Sequence, residues 1–109
     1  MSRKEELILV TQKLKRINIG DLPDNNLLAD LFSQLDVLEG YINAKVDLLE
    51  QKNMIKWELN ILKEQDSIIN GIVQKINTKK LEKHETLYHR YKLCKKAIEL
   101  MIILIKDLK

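Results

Sequence analysis

The stretch "DSIINGIVQKINTKK", residues 66–80, supports two incompatible structures. Asn70-Gly71 flanked by β-branched residues is the strongest short-range signal for a β-hairpin. Yet Ile69, Ile72, Val73 and Ile76 also share one face of an α-helix. A hairpin here would leave two short strands with no third to pair with, and isolated hairpins are marginal in water. The helix therefore wins. It is expected to run through Gly71, with the chain turning instead at "NTKK", residues 77–80, where Thr78 can act as N-cap of the next helix.

The rest of the chain agrees with a helical reading. Its 109 residues include three Gly and one Pro, too few for an all-β domain with a turn every 8–12 residues. Apolar residues make up 45% and charged residues 32%, so the chain can bury a core and disorder is excluded as a class. The length fits a single domain, residues 1–109. The longest uninterrupted apolar run, "LMIILI" at 100–105, is far short of the roughly 20 residues that cross a bilayer, and no signal peptide is evident. The single Cys94 has no internal disulfide partner, which points to a reducing compartment. The expectation is an intracellular, soluble, all-α protein that does not insert into membranes.

Outward from the opening stretch, three helical segments are expected. The first covers about residues 3–18. Ser2 and Glu5 form a capping box at its start, Leu7, Val10, Leu14 and Ile17 its apolar stripe, and Gly20 its stop. "DLPDNN", residues 21–26, is a loop. From Leu27 no Pro or turn cluster interrupts the pattern, so one long helix is expected over about 26–76. Its stripe is Leu28, Leu31, Leu35, Leu38 and Ile42, resumed by Ile55, Leu59, Leu62, Ile69, Val73 and Ile76. Gly40 costs this helix about 1 kcal/mol and marks either a bend or a close approach. The last helix covers about 79–108. Leu87, Tyr91, Cys94, Ile98, Met101, Ile105 and Leu108 step by four and three, a heptad seam. Leu93, Leu100 and Leu104 form a second stripe about 120° away, and Met54, Trp57 and Ile61 do the same on the middle helix.

Two stripes per helix require two neighbours. A middle helix of about 75 Å, with the other two laid along it, would form an elongated helical hairpin or three-helix bundle. Its coiled-coil-like seams would leave one apolar face to be covered by oligomerisation.

Charge is unevenly placed. Residues 1–20 carry net +3, 21–50 net −6, 51–75 net +1 and 76–109 net +5, which sum to +3. The segment "KKLEKHETLYHRYKLCKK", residues 79–96, holds seven Lys or Arg residues against two Glu, with Tyr88 and Tyr91 interleaved. Clustered cations suit phosphate binding; the alternative is a solvated face, or pairing with the acidic stretch at 21–50.

Catalytic patterns are absent: GxGxxG, GxxxxGK[ST], HExxH and GxSxG do not occur. "SQLD", residues 33–36, resembles the Ser-Gln-x-Leu-Asp signature of small helical-hairpin phosphatases. Its Ser33 and Asp36 are three apart where that motif needs four, so no activity is carried over. His84 and His89 are five apart, the wrong spacing for a metal pair on one helix face, and Cys94 on a seam reads as a small hydrophobe.

No cofactor, metal, catalytic residue or small-molecule substrate is therefore expected. The chain reads as a non-enzymatic structural or adaptor subunit that associates with itself or another helical protein. Expected interface residues are Leu28, Leu31, Leu35, Leu38, Ile42, Trp57, Leu93, Leu100 and Leu104. The alternative is a small regulator that binds nucleic acid or another polyanion through Lys79, Lys80, Lys83, Arg90, Lys92, Lys95 and Lys96.

Overall fold

The computed structural model describes residues 2–18, 20–46 and 55–107, with the side chains of all of these except 55–58. The described residues form five helices: α1 (Arg3–Arg16), α2 (Asn26–Val46), α3 (Ile55–Lys75), α4 (Thr78–Lys83) and α5 (Glu85–Asp107). The described residues contain no strand.

Local signals set most of the boundaries. The Ser2 hydroxyl accepts from the Glu5 N–H at 3.2 Å, satisfying one free donor at the start of α1. Asn25 does more for α2, its Oδ1 accepting from the N–H groups of Leu27 and Leu28 at 3.0 and 3.2 Å. Gly20 is not the stop of α1. The helix ends with Ile17 as an extended C-cap, and Gly20 instead takes φ +68° in the loop beyond, a left-handed turn that favours glycine.

α3 passes through Asn70-Gly71 and ends at Lys75, so the chain turns at Ile76 and Asn77. The cap of α4 is Asn77, not Thr78: Asn77 Oδ1 accepts from the Lys79 N–H at 3.0 Å.

Two expectations about helix length are corrected. The long helix over 26–76 does not exist as one rod. Gln34 Nε2 donates to Gln65 Oε1 at 2.6 Å, whereas in a continuous helix those residues would stand about 46 Å apart. The chain folds back between Val46 and Ile55, so α2 lies against α3 and each buries its apolar stripe on the other and on α5. Met54 and Leu108 lie outside the described residues, as do the side chains of Ile55 and Trp57.

The last helix is also interrupted, at His84. The His84 N–H donates to the Leu81 carbonyl and closes α4, while the His84 carbonyl accepts from the Tyr88 N–H and opens α5. Leu81 and Leu87 are both buried. Six residues apart on an unbroken helix they would point about 120° apart; the break brings both into one core.

The result is compact rather than elongated, with extents of 42 × 25 × 20 Å. α5 lies at the centre and packs on α1, α2, α3 and α4, while α1 and α3 each also pack on α2. The heptad positions Leu87, Cys94, Ile98, Met101 and Ile105 are buried, and Tyr91 is half-buried. The second stripe therefore finds its neighbours within the chain: Leu100 is buried, and Leu93 and Leu104 pack against the core from its margin. Gly40 is exposed, and a Cβ there would meet nothing within 4 Å, so it marks no close approach.

Candidate functional site

The leucine seam expected to face a partner faces inward. Leu28, Leu31, Leu35, Leu38 and Ile42 are buried in the core that α2 forms with its neighbours, and Leu100 is buried with them. A periodic stripe states that a face is covered, not by what, and here neighbouring helices of the same chain cover it. Leu93 and Leu104 remain half-exposed, and the Trp57 side chain lies outside the described residues.

The basic segment is likewise divided. Lys79, Lys80 and Lys83 on α4 are exposed, as are Lys92 and Lys96 on α5. Lys92 stands over the Tyr88 ring, 4.5 Å from its centroid, and Tyr88 stacks on Tyr91 at 6.3 Å. Lys95 is half-buried and committed: its ammonium pairs with Asp66 and donates to Asn70 Oδ1 at 2.8 Å.

Arg90 is not a surface residue at all. It is 2% exposed. Its Nε donates to Glu39 Oε2 at 2.8 Å, and its Nη2 lies 2.7 Å from the same oxygen and 2.5 Å from Asp36 Oδ1. Phe32 covers the guanidinium, with its ring centroid 5.4 Å from Cζ. Burial by itself would lower the Arg90 pKa; the hydrogen bonds and charges of Asp36 and Glu39 more than reverse this and raise it. At Arg90 the acidic middle of the chain thus meets the basic segment inside the molecule. Its position was legible in principle, since residues 87, 90, 94, 97 and 101 share the buried face of α5.

Next to this cluster, Cys94 is fully buried, and its thiol is pushed up to about 12, first by burial and then by the charge of Glu39. It stays a protonated, unreactive thiol at neutral pH. His84 and His89 are both exposed, and the described residues contain no group of three or more His, Cys, Asp or Glu placed to hold a metal ion.

A surface not anticipated from periodicity lies along the outer α2–α3 seam. The Gln34–Gln65 bond bridges the two helices there. One helical step away on α2 is Val37, 58% exposed, and on α3 Ile68, 39% exposed. Tyr41, Ile61 and Ile72 continue the two stripes as half-buried residues. Beside them on α2, Ser33, Val37, Gly40 and Ala44 are all exposed, small and uncharged. In a chain that is 32% charged, a run of four such positions is a distinct feature. The signal was present in the sequence as the missing charges on one side of "SQLDVLEGYINA".

No protein-family model, curated protein or solved structure matches this chain. Among the described residues, no helix is long and apolar enough to cross a membrane.

Proposed function

We propose that this protein is a non-enzymatic structural or adaptor subunit that works by helix–helix association, with itself or with another helical protein. The association uses the outer α2–α3 seam rather than the leucines of the core. The observation that carries the reading is the uncharged, exposed strip of α2 with Val37 at its centre and Ile68 beside it on α3. Small side chains let a partner helix approach closely, and exposed aliphatics supply area to bury, at about 25 cal/mol per Å². The bridging glutamines offer spare donor and acceptor capacity at the middle of the seam.

The test is solution mass by light scattering on the purified chain and on a Val37→Asp/Ile68→Asp variant, each with a melting curve. The wild type is expected to self-associate, or to capture a helical partner, and the variant to lose this while melting at nearly the same temperature. A variant that associates as the wild type does would move the interface elsewhere.

The alternative, polyanion binding, rests on Lys79, Lys80 and Lys83, which are exposed on one short helix and make no ion pair with a described carboxylate. Salt separates the readings. Polyanion affinity falls steeply with ionic strength, whereas burial of an apolar seam does not.

A further inference from the structure

α1 runs antiparallel to α5. Arg3 Nη1 lies 3.5 Å from Asp107 Oδ2 at one end of the pair, and Ile17 shares a cavity with Glu85 and Thr86 at the other. Between these ends the two helices leave an open recess of about 340 Å³, walled by Leu9, Val10 and Leu93. Leu9 stands at its edge and is 40% exposed. None of these residues belongs to the α2–α3 seam, so a partner on that seam leaves Leu9 in water.

Charge along this face changes sign at the level of Leu9. Glu6 and Lys13 line the recess on either side of it, with Glu5 beside Glu6 and the exposed Arg16 beyond Lys13. Glu5 and Lys13 are each four residues from Leu9, roughly 6 Å along the axis. The outer side of α5 has the same polarity in space. Lys92 and Glu99, both exposed, are equally far from its midpoint at residues 95–96, which is level with Leu9. Glu85 and Lys106 are also equally far from that midpoint, with signs again opposed. Among the described residues, none of Glu5, Glu6, Lys13 and Glu99 has an ion-pair partner, and Lys92 covers only the Tyr88 ring. The helix dipole does not explain this order. Acid toward the N-terminus suits α1, but Lys92 and Glu99 reverse that order on α5.

The polarity decides what can cover Leu9. A uniformly acidic helix, or an anionic membrane surface, would meet Glu5, Glu6 and Glu99 at one end; a basic one would meet Lys13, Arg16 and Lys92 at the other. A face that carries opposite charges at equal distances from its centre is complementary to itself. A two-fold axis in the contact plane, crossing both helices at right angles at the level of Leu9, sets each helix antiparallel on its own copy. Glu5 and Glu6 then face the second copy's Lys13, Glu99 faces its Lys92, and Glu85 faces its Lys106. Every such pair occurs twice, because a two-fold interface is isologous. Lys96 meets its own copy near the axis, offset by Glu99 one turn along the same helix. The two Leu9 side chains meet at the axis and close the recesses over each other.

We propose that the α1–α5 face binds a second copy of this chain, as an antiparallel two-fold dimer centred on Leu9.

The experiment is solution mass by light scattering over a range of concentrations in low salt, on the full chain carrying Val37→Asp/Ile68→Asp. That background removes what the α2–α3 seam contributes, so the two readings fail separately. A two-chain mass is expected to persist in it. Leu9→Asp, added at its exposed position, is expected to weaken the dimer at least tenfold with a nearly unchanged melting curve. Glu5→Lys/Glu6→Lys/Glu99→Lys in one sample and Lys13→Glu/Lys92→Glu in another are expected to leave each a single chain when alone. Mixing the two samples is expected to restore the two-chain mass. A background that stays a single chain at every concentration overturns the proposal, as does an undiminished dimer in Leu9→Asp. Charge variants that dimerise alone, or folded ones that fail to pair on mixing, overturn it equally. So does a single-chain background that instead binds phosphatidylserine vesicles or an acidic amphipathic peptide through Leu9.

Discussion

Arg90 and Glu39 lie 51 positions apart in the chain and are joined inside it, Nε to Oε2 at 2.8 Å. This contact ties the central helix α5 to α2, and it has a fixed geometry that aliphatic packing lacks. Leucines on two helices can slide by a turn and still bury their area. A guanidinium whose Nε and Nη2 share one carboxylate oxygen, and whose Nη2 also meets a second carboxylate, is held in one register. Its contribution is therefore to orientation at least as much as to stability, because the desolvation of buried charges offsets much of their attraction.

Removing one member should expose that balance. Arg90→Met is expected to destabilise the fold by about 3–5 kcal/mol, because Glu39 is left buried without its partner. The double variant Glu39→Leu/Arg90→Met should recover most of the loss, since it leaves no orphaned charge. Urea denaturation of the four proteins of the cycle measures this; additive losses would mean that the pair acts independently.

Cys94 predicts an alkaline limit. Its thiol pKa, about 12 in the folded chain, lies above the ordinary value of about 8.5. The folded state then holds a proton that the unfolded state releases. The stabilisation is complete below about pH 8.5 and is lost as pH rises toward 12. Between those limits the wild type should lose roughly 1 kcal/mol per pH unit more than Cys94→Ala, read from denaturation midpoints. For the same reason a thiol-specific reagent at pH 7 should label Cys94 only as fast as the protein unfolds.

Two glycines can be replaced with profit. Gly40 and Gly71 sit inside helices, neither has a positive φ, and a Cβ at either meets nothing within 4 Å. Gly40→Ala and Gly71→Ala should each stabilise by up to about 1 kcal/mol, because glycine loses more backbone freedom on entering a helix. A destabilised Gly71→Ala variant would show that the chain is not helical through Asn70-Gly71.

The cap of α4 can be assigned by comparing neighbours. Asn77→Ala removes the acceptor for the Lys79 N–H and should cost about 1 kcal/mol. Thr78→Ala, at the first helical position and exposed, should cost no more than about 0.5 kcal/mol. The opposite ranking in thermal denaturation would return the cap to Thr78.

Sequence periodicity revealed what local physics controls. The Ser2 cap, the helix through Asn70-Gly71 and the turn just after it all depend on residues within a few positions of one another. The fold-back between Val46 and Ile55 does not, because a leucine stripe looks the same whether it continues straight or doubles back on its neighbour. The fate of Arg90 was hidden for a related reason. Its burial depends on Asp36 and Glu39, more than fifty positions away, and a basic residue in a basic segment reads as solvent-facing. Val37 was overlooked from the other side: the feature is an absence of charge, which pattern-matching for apolar stripes does not register.

The central place of α5 also bears on how the chain is made. Of the five described helices it is the last to leave a ribosome, and it is the one that each of the others packs on. A nascent chain that has not yet reached residue 85 has only the α1–α2 and α2–α3 contacts with which to cover the leucines of α2. Folding of these helices must therefore wait until α5 has emerged, and it then closes long loops at once, which is slow for a helical fold. Chains stalled before residue 85 should be protease-sensitive and chaperone-bound, and chains stalled well past residue 107 should resist digestion.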